Sequence, residues 1–133
     1  MSVLLDTHTW LWWLSSPEIL PKKAAKTIRK SMESYKVLIS SMSVWEIAML
    51  CAKGRLELAT DYREFIHQTE KLPFVQFIAP NNEILVGSVN LPAYAGKDPA
   101  DRIILATANH MGATLVTKDE HMLAYRHVRT LWN

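Results

Sequence analysis

The sequence of 133 residues contains a single cysteine, Cys51, so no disulfide can form within the chain. A lone thiol is typical of proteins from a reducing compartment, and it could bridge only to another molecule. No apolar run approaches the roughly 18 residues that a membrane-spanning helix needs. The segment Met1–Asp6 has no basic side chain, and Asp6 and His8 interrupt any stretch that resembles a signal peptide. We therefore expect a cytoplasmic globular protein.

The chain also lacks a strong net charge. It has 15 Lys and Arg against 13 Asp and Glu, which is a formal charge of +2, and its pI is about 8.7. A dedicated nucleic-acid-binding protein usually has a pI above ~9 and a clear basic patch. The balance therefore permits a polyanionic partner without requiring one. Basic residues are concentrated in the stretch Lys22–Lys30, where a solvated helix face is expected and contact with RNA phosphates is the alternative.

The overall composition is that of an ordinary globular protein, with 49% hydrophobic and 21% charged residues. It excludes a disordered chain, a collagen-like repeat and a disulfide scaffold. The length predicts one domain over residues 1–133, long enough to bury a sizeable core.

Short apolar runs alternate with segments of helical spacing along the whole chain. Strands are predicted at 3–5, 37–39, 74–78, 113–117 and 128–131, and helices at about 9–14, 21–32, 43–54, 61–71, 82–90, 98–108 and 120–125. Thr7 is the predicted N-cap of the first helix. Apolar strands alternating with helices predict an α/β fold, a three-layer sandwich with a central, mainly parallel twisted sheet. In such folds ligands bind beyond the carboxyl ends of the strands.

Acidic residues recur where a strand gives way to a helix: Asp6, Glu46, Asp101 and Asp119. If these four side chains share one rim, they repel each other, because two unit charges about 4 Å apart cost about 4 kcal/mol at an effective dielectric of 20. A fold that tolerates this repulsion raises some pKa values or binds a cation. Carboxylate oxygens, with no cysteine or histidine pair at zinc-like spacing, favour Mg²⁺ or Mn²⁺ over Zn²⁺.

Each acid also has a purely structural interpretation. Glu46 is the fourth residue of a capping box that begins at Ser43. Asp98 and Asp101 suit the positive end of a helix dipole, with Pro99 at the first helical position, and Asp119 suits a turn after a strand. Asp6 is the hardest to explain in this way, because a carboxylate directly after an apolar strand is costly without a partner.

Four segments, in order and well separated, resemble the motifs of the PIN domain family. They are Leu-Leu-Asp-Thr-His-Thr-Trp at 4–10, Ser-Val-Trp-Glu-Ile-Ala at 43–48, Asp-Pro-Ala-Asp-Arg-Ile-Ile-Leu-Ala at 98–106 and Leu-Val-Thr-Lys-Asp at 115–119. The first and third are similar to segments of the VapC-type toxins of bacterial toxin–antitoxin pairs.

The resemblance implies a metal-dependent endoribonuclease in which Asp6, Glu46, Asp101 and Asp119 are catalytic and hold one or two Mg²⁺ or Mn²⁺ ions. Asp98, three residues before Asp101, is an extra acid that could replace or assist it. The resemblance also implies a helping hydroxyl at Thr117, an RNA substrate, a cognate antitoxin and a homodimer. Hydrolysis by a metal-activated water would leave a 5′-phosphate and a 3′-hydroxyl.

Several further residues have two interpretations. His8 could touch substrate or a metal-bound water, although a local hydrogen bond at the start of a helix is the simpler expectation. Arg102 and Lys118 each lie beside an acid of the quartet and are expected to meet phosphate or to balance the negative charge. Trp10 and Trp13 are assigned to the core, whereas Trp12 is the candidate for a partner surface. Cys51 lies mid-helix among apolar residues and is interpreted as a structural thiol.

Two other functions remain open at this point. A haloacid-dehalogenase-like phosphatase also has an acid after its first strand, but it needs a second acid two positions later, where this chain has His8. A non-catalytic receiver-like or RNA-binding domain would use the acids only as helix caps.

Overall fold

Five short strands form one sheet in the computed structural model, which describes residues 1–133. They are β1 (Val3–Leu5), β2 (Val37–Ser40), β3 (Val75–Ile78), β4 (Thr114–Val116) and β5 (Thr130–Leu131). Their order is β3-β2-β1-β4-β5, and every neighbouring pair is parallel. The predicted parallel sheet is confirmed, and β1 lies at its centre.

Seven α-helices connect the strands. They are α1 (Thr7–Ser15), α2 (Lys22–Glu33), α3 (Ser41–Ala52), α4 (Tyr62–Glu70), α5 (Asn82–Val89), α6 (Pro99–Met111) and α7 (Glu120–Leu123). All seven were expected from helical spacing, and two of them start two residues earlier than expected. Asp6, not Thr7, is the N-cap of α1, because its carboxylate accepts the Thr9 N–H. The N-cap of α3 is Ser40, so this helix begins two residues before Ser43. None of the helices combines the length and the apolar character needed to cross a bilayer.

The helices cover both faces of the sheet, which gives the predicted three layers. Along β1 the side chains alternate: Val3 and Leu5 belong to one apolar cluster and Leu4 to the other. The first cluster takes residues from α1, α2, α3 and α4, and the second from α5, α6 and α7. All three side chains of β1 are fully buried. Because β1 is covered on both faces, the residue that follows it is held in a fixed place.

The predicted core tryptophans anchor the first cluster. Trp10 is fully buried, its ring centroid lies 5.4 Å from that of Phe65, and its indole N–H donates to Thr69 Oγ1 at 3.2 Å. Trp13 packs edge-on against Phe74 with ring centroids 6.0 Å apart. An indole buried with its N–H satisfied contributes apolar contact without an unpaired donor. Helix α1 is therefore held firmly against the sheet.

A glycine ends the helix that precedes β4. Gly112 has φ = +61° and is the C-cap of α6, a left-handed conformation that glycine adopts without steric cost. The chain reverses here and enters β4 beside the central strand. Thr117 and Asp119, which follow β4, thus arrive at the same edge of the sheet as Asp6, which follows β1.

Candidate active site

A cavity of about 550 Å³ opens at the carboxyl edge of the sheet, and five carboxylates line it. They come from the ends of β1 and β4 and from the first half of α3 and the first turn of α6: Asp6, Glu46, Asp98, Asp101 and Asp119. The structure thus brings together all four acids of the predicted quartet and the extra acid Asp98. Two apolar side chains, Ile104 and Met122, also line the cavity and are almost fully buried.

Asp6 is the most deeply set of the five, with 8% of its surface exposed. One carboxylate oxygen accepts the Thr9 N–H at 2.9 Å, and the other accepts the hydroxyl of Thr117. Both donors satisfy oxygens that are buried, which offsets part of the cost of removing them from water. Asp6 is consequently held in a fixed position in the cavity.

Thr117, predicted to help the acids, connects two of them. Its fully buried hydroxyl donates to Asp6 and accepts the backbone N–H of Asp119 at 3.0 Å. A valine has the same shape as threonine but neither donates nor accepts a hydrogen bond. The position therefore needs a hydroxyl side chain to hold Asp6 and Asp119 in register.

Two acids of the cavity, Asp98 and Asp119, also cap helices. Asp98 Oδ1 accepts the N–H groups of Ala100 and Asp101, and Asp119 Oδ1 accepts the N–H of Met122 at 3.0 Å. In each residue one oxygen caps the helix, as the structural interpretation requires. The second oxygen of each forms no hydrogen bond within the protein.

The predicted capping box from Ser43 to Glu46 is wrong. Because α3 begins at Ser41, Ser43 lies inside the helix and not at its N-cap. Glu46 instead accepts the hydroxyl of Thr7, and Ser43 Oγ lies 2.9 Å from the same Thr7 oxygen. Sequence reasoning missed Thr7 as a site residue, since nothing in its neighbourhood along the chain shows that α3 packs beside it.

The pKa of Asp101 is raised in part by the negative charges of the other acids. Its pKa is raised from 3.8 to about 7, first by burial and then by repulsion from Asp98, Asp119, Glu46 and Asp6. The other four carboxylates are therefore all close enough to disfavour its charge. None of the hydrogen bonds within the protein involves its side chain, so a proton or a cation is the means of relieving this repulsion.

No basic side chain neutralises the cluster. The ion pairs of the structure join Arg63 with Asp61, His67 with Glu70, and His110 with Glu83, and none includes an acid of the cavity. No three acidic, histidine or cysteine side chains are arranged closely enough to enclose one ion as they stand. The chemistry of the donors nevertheless fits a hard divalent cation, because every ionisable group directed at Asp101 is a carboxylate.

Arg102 does not meet the acids, contrary to the expectation from its place beside Asp101. Its guanidinium turns to the end of α5 and the segment that follows it, where it donates to four backbone carbonyl oxygens at 2.6–3.3 Å: Ser88 and Val89 of α5, and Tyr94 and Gly96 of the segment before α6. The last turn of a helix and an irregular segment both leave carbonyl groups without partners, and a fork of five N–H donors satisfies several at once. Arg102 therefore holds the loop that leads into Asp98.

His8, Trp12 and Lys118 line the cavity on the side of α1. The ring centroids of His8 and Trp12 lie 5.7 Å apart, and Lys118 Nζ lies 5.7 Å from the Trp12 ring centroid. No hydrogen bond involves the His8 ring, so the predicted local bond is not formed. Trp12 is half-buried, with its ring against Trp132. Cys51 and the Lys22–Lys30 stretch lie outside this cavity.

The PIN domain family model matches residues 3–128. The chain belongs to the PIN domain family. This PIN domain protein is 33% identical to Ribonuclease VapC22 of Mycobacterium tuberculosis, over 98% of each chain. Among solved structures, it matches VapBC2 from Rickettsia felis bound to a promoter DNA fragment with a TM-score of 0.75, at 14% identity and over the whole of both chains. It matches a toxin–antitoxin complex from Klebsiella pneumoniae with a TM-score of 0.62, at 22% identity over 98% of this chain and 96% of the other. These structures share its fold, so the predicted PIN-like architecture is confirmed.

Proposed function

We propose that this PIN domain protein is a metal-dependent endoribonuclease and the toxin of a toxin–antitoxin pair. The observation that carries the proposal is the cavity lined by five carboxylates, none of which forms an ion pair. Its relative over almost the entire chain is named a ribonuclease. Carboxylates that converge without counter-charges are an arrangement that binds divalent cations, which in turn act on phosphodiesters.

Asp6, Glu46, Asp101 and Asp119 would hold one or two Mg²⁺ or Mn²⁺ ions, with Asp98 able to assist Asp101. When bound, such ions neutralise charge on the phosphate and lower the pKa of water. One oxygen each of Glu46, Asp98 and Asp119 and both oxygens of Asp101 form no hydrogen bond within the protein, so they are available as ligands.

Hydrogen bonds within the protein orient the acids of this site. The Thr9 N–H and the Thr117 hydroxyl hold both oxygens of Asp6, and the Thr7 hydroxyl directs Glu46. Because its pKa is raised to about 7, Asp101 is partly protonated near neutral pH, and a cation bound there would favour its charged form. Hydrolysis leaves a 5′-phosphate and a 3′-hydroxyl.

The shape of the site supports a polymeric substrate. A second cavity of about 210 Å³ shares Asp98, Asp101 and Asp119 with the first and continues towards Tyr94 and Lys97. The acids therefore stand between two recesses, which suits a strand that passes across them. The haloacid-dehalogenase-like alternative lacks its second acid, because His8 stands two positions after Asp6. Membership of the PIN domain family removes the remaining reason to retain it.

Partners follow from the relatives rather than from the cavity. Because the fold matches chains of toxin–antitoxin complexes, a cognate antitoxin that blocks the acidic cavity is proposed. A homodimer, a cytoplasmic location and a single domain over residues 1–133 complete the proposal.

The test compares cleavage of RNA by the purified protein with Mn²⁺, with Mg²⁺ and with EDTA. We expect metal-dependent cleavage that Asp6→Asn abolishes while the circular dichroism spectrum stays native. The matched control is Glu83→Gln, which also turns an acid into an amide but lies outside the cavity. Equal cleavage by Asp6→Asn and the parent would refute the assignment, and a calorimetric titration without a saturable Mn²⁺ site would favour acids that are only helix caps.

A further inference from the structure

The rim of the acidic cavity on the α1 side combines an aromatic surface with the only groups of that cavity able to carry positive charge. Trp12, His8 and Lys118 stand together there. The ring centroid of Trp132, a nearly buried residue, lies 5.7 Å from that of Trp12. Trp132 therefore supports the Trp12 indole from the side of the core. His8 and Lys118 are exposed, so the side of the indole that they cover is open to displacement by a ligand.

The charged groups that line the cavity indicate how this rim would act on a substrate. A phosphodiester that enters the cavity meets five carboxylates, and Arg102 is committed to backbone carbonyls of a neighbouring loop. Among the residues that line the cavity, only Lys118 and His8 can then offset the negative field next to the substrate. Within this cavity a phosphate group near the acids therefore meets positive charge on the side of Trp12, while Lys97 lies in the adjoining recess.

We propose that Trp12 and Lys118, with His8 beside them, form a nucleotide subsite in which an unpaired base next to the cleaved phosphate stacks on the Trp12 indole. Lys118 Nζ, now 5.7 Å from the ring centroid, leaves the indole when the base arrives and contacts the adjoining phosphate. Aromatic side chains stack with every kind of base but only when the base is not paired. The inference rests on the proposed ribonuclease function and deepens it: it names the side chains that position the base next to the cleaved phosphate.

The test measures binding separately from cleavage. The probe is a fluorescein-labelled single-stranded oligonucleotide with phosphorothioate linkages, which resists hydrolysis, and its affinity is measured by fluorescence anisotropy in Mg²⁺. We expect Trp12→Leu to weaken binding about tenfold, as loss of one base–aromatic stack does, and Trp12→Phe to retain most of the affinity. Lys118→Gln is expected to weaken binding and to reduce the slope of log K against log salt by about 0.7 for one phosphate contact on a single strand.

Abasic probes distinguish stacking from a structural effect. An oligonucleotide that lacks the stacked base should bind wild type and Trp12→Leu equally. The matched control is Trp45→Leu, since Trp45 is 54% exposed and does not line the cavity; its affinity should equal that of wild type. Tighter binding of the single strand than of its duplex is also expected.

The inference is overturned if Trp12→Leu binds the intact probe as tightly as wild type does, which would leave Trp12 as a protein contact. It is equally overturned if the loss is the same for intact and abasic probes. Cleavage of the corresponding unmodified RNA reports on the proposed function alone. Binding that depends on Trp12 without cleavage would refute the nuclease and keep the subsite, and cleavage with Trp12-independent binding would do the reverse.

Discussion

Thr117→Val removes one buried hydroxyl and so tests how the centre of the site is held together. The substitution deprives Asp6 of a donor and the N–H of Asp119 of its acceptor. A hydrogen bond to a charged group contributes about 1.5–3 kcal/mol, and an N–H left without a partner adds a further cost, so we expect the free energy of unfolding to fall by about 2–4 kcal/mol. For a chain of this length that corresponds to a Tm lower by roughly 10 °C. Affinity for Mn²⁺ should fall about 10- to 100-fold, as it does when a ligand's hydrogen-bond partner is lost.

The assays are chemical denaturation in EDTA and calorimetric titration with Mn²⁺. Thr117→Ser is the matched control, because it retains the hydroxyl and loses only a methyl group. We expect this variant to keep most of the Mn²⁺ affinity. If Thr117→Val matched the wild type in both assays, the hydroxyl would not organise the acids, and the account of Asp6 given above would be wrong.

Three other perturbations test separate parts of the structure. Asp101→Asn should stabilise the metal-free protein: the folded-state pKa of about 7 lies above 3.8, so wild-type stability falls as pH rises from about 4 to 7. The variant's free energy of unfolding should exceed that of wild type by nothing near pH 4 and by about 1–2 kcal/mol at pH 8, after a discount for a partly exposed carboxylate. Mn²⁺ should cancel this difference. A difference in denaturation midpoint that does not change with pH would contradict the explanation. Arg102→Met deprives two carbonyl groups at the end of α5 and two of the following loop of this donor. It should lower the free energy of unfolding by about 2–4 kcal/mol and increase proteolysis between α5 and α6, with unchanged proteolysis as the contrary result. Gly112→Ala should cost about 1 kcal/mol, because alanine must adopt a positive φ, and a melting curve equal to that of wild type would contradict this.

The fold was largely predictable because its signals are local. The strand at 3–5 is apolar at every position, as expected for a strand covered on both faces, and β1 occupies those residues. Asp98 followed by Pro99 predicted the start of α6, and the structure has Asp98 as the N-cap and Pro99 as the first helical residue. The first helix began two residues earlier than predicted, since Asp6 and Thr7 are both good N-caps and only the backbone conformation decides between them.

The acids of the candidate site could be predicted from the sequence, but the groups that hold them in place could not. Asp6 and Asp119 follow strands, so a parallel sheet places them at one edge. The capping box at Glu46 was a misleading local signal, because the motif fits the sequence although the helix starts earlier. Arg102 showed the opposite problem: adjacency to Asp101 suggested a shared site, but successive residues of a helix point in directions about 100° apart.

The sequence alone determined the succession of strands and helices along the chain, and that carboxylates follow strands or begin helices. It could do so because periodicity and capping depend on residues within a few positions of one another. Only the tertiary structure decided which groups support those carboxylates. Thr117 reaches Asp6 across 111 positions, and Thr7 reaches Glu46 across 39. A hydrogen bond between such residues exists only after the sheet has formed and the helices have packed on it. For that reason no local pattern in the sequence records it.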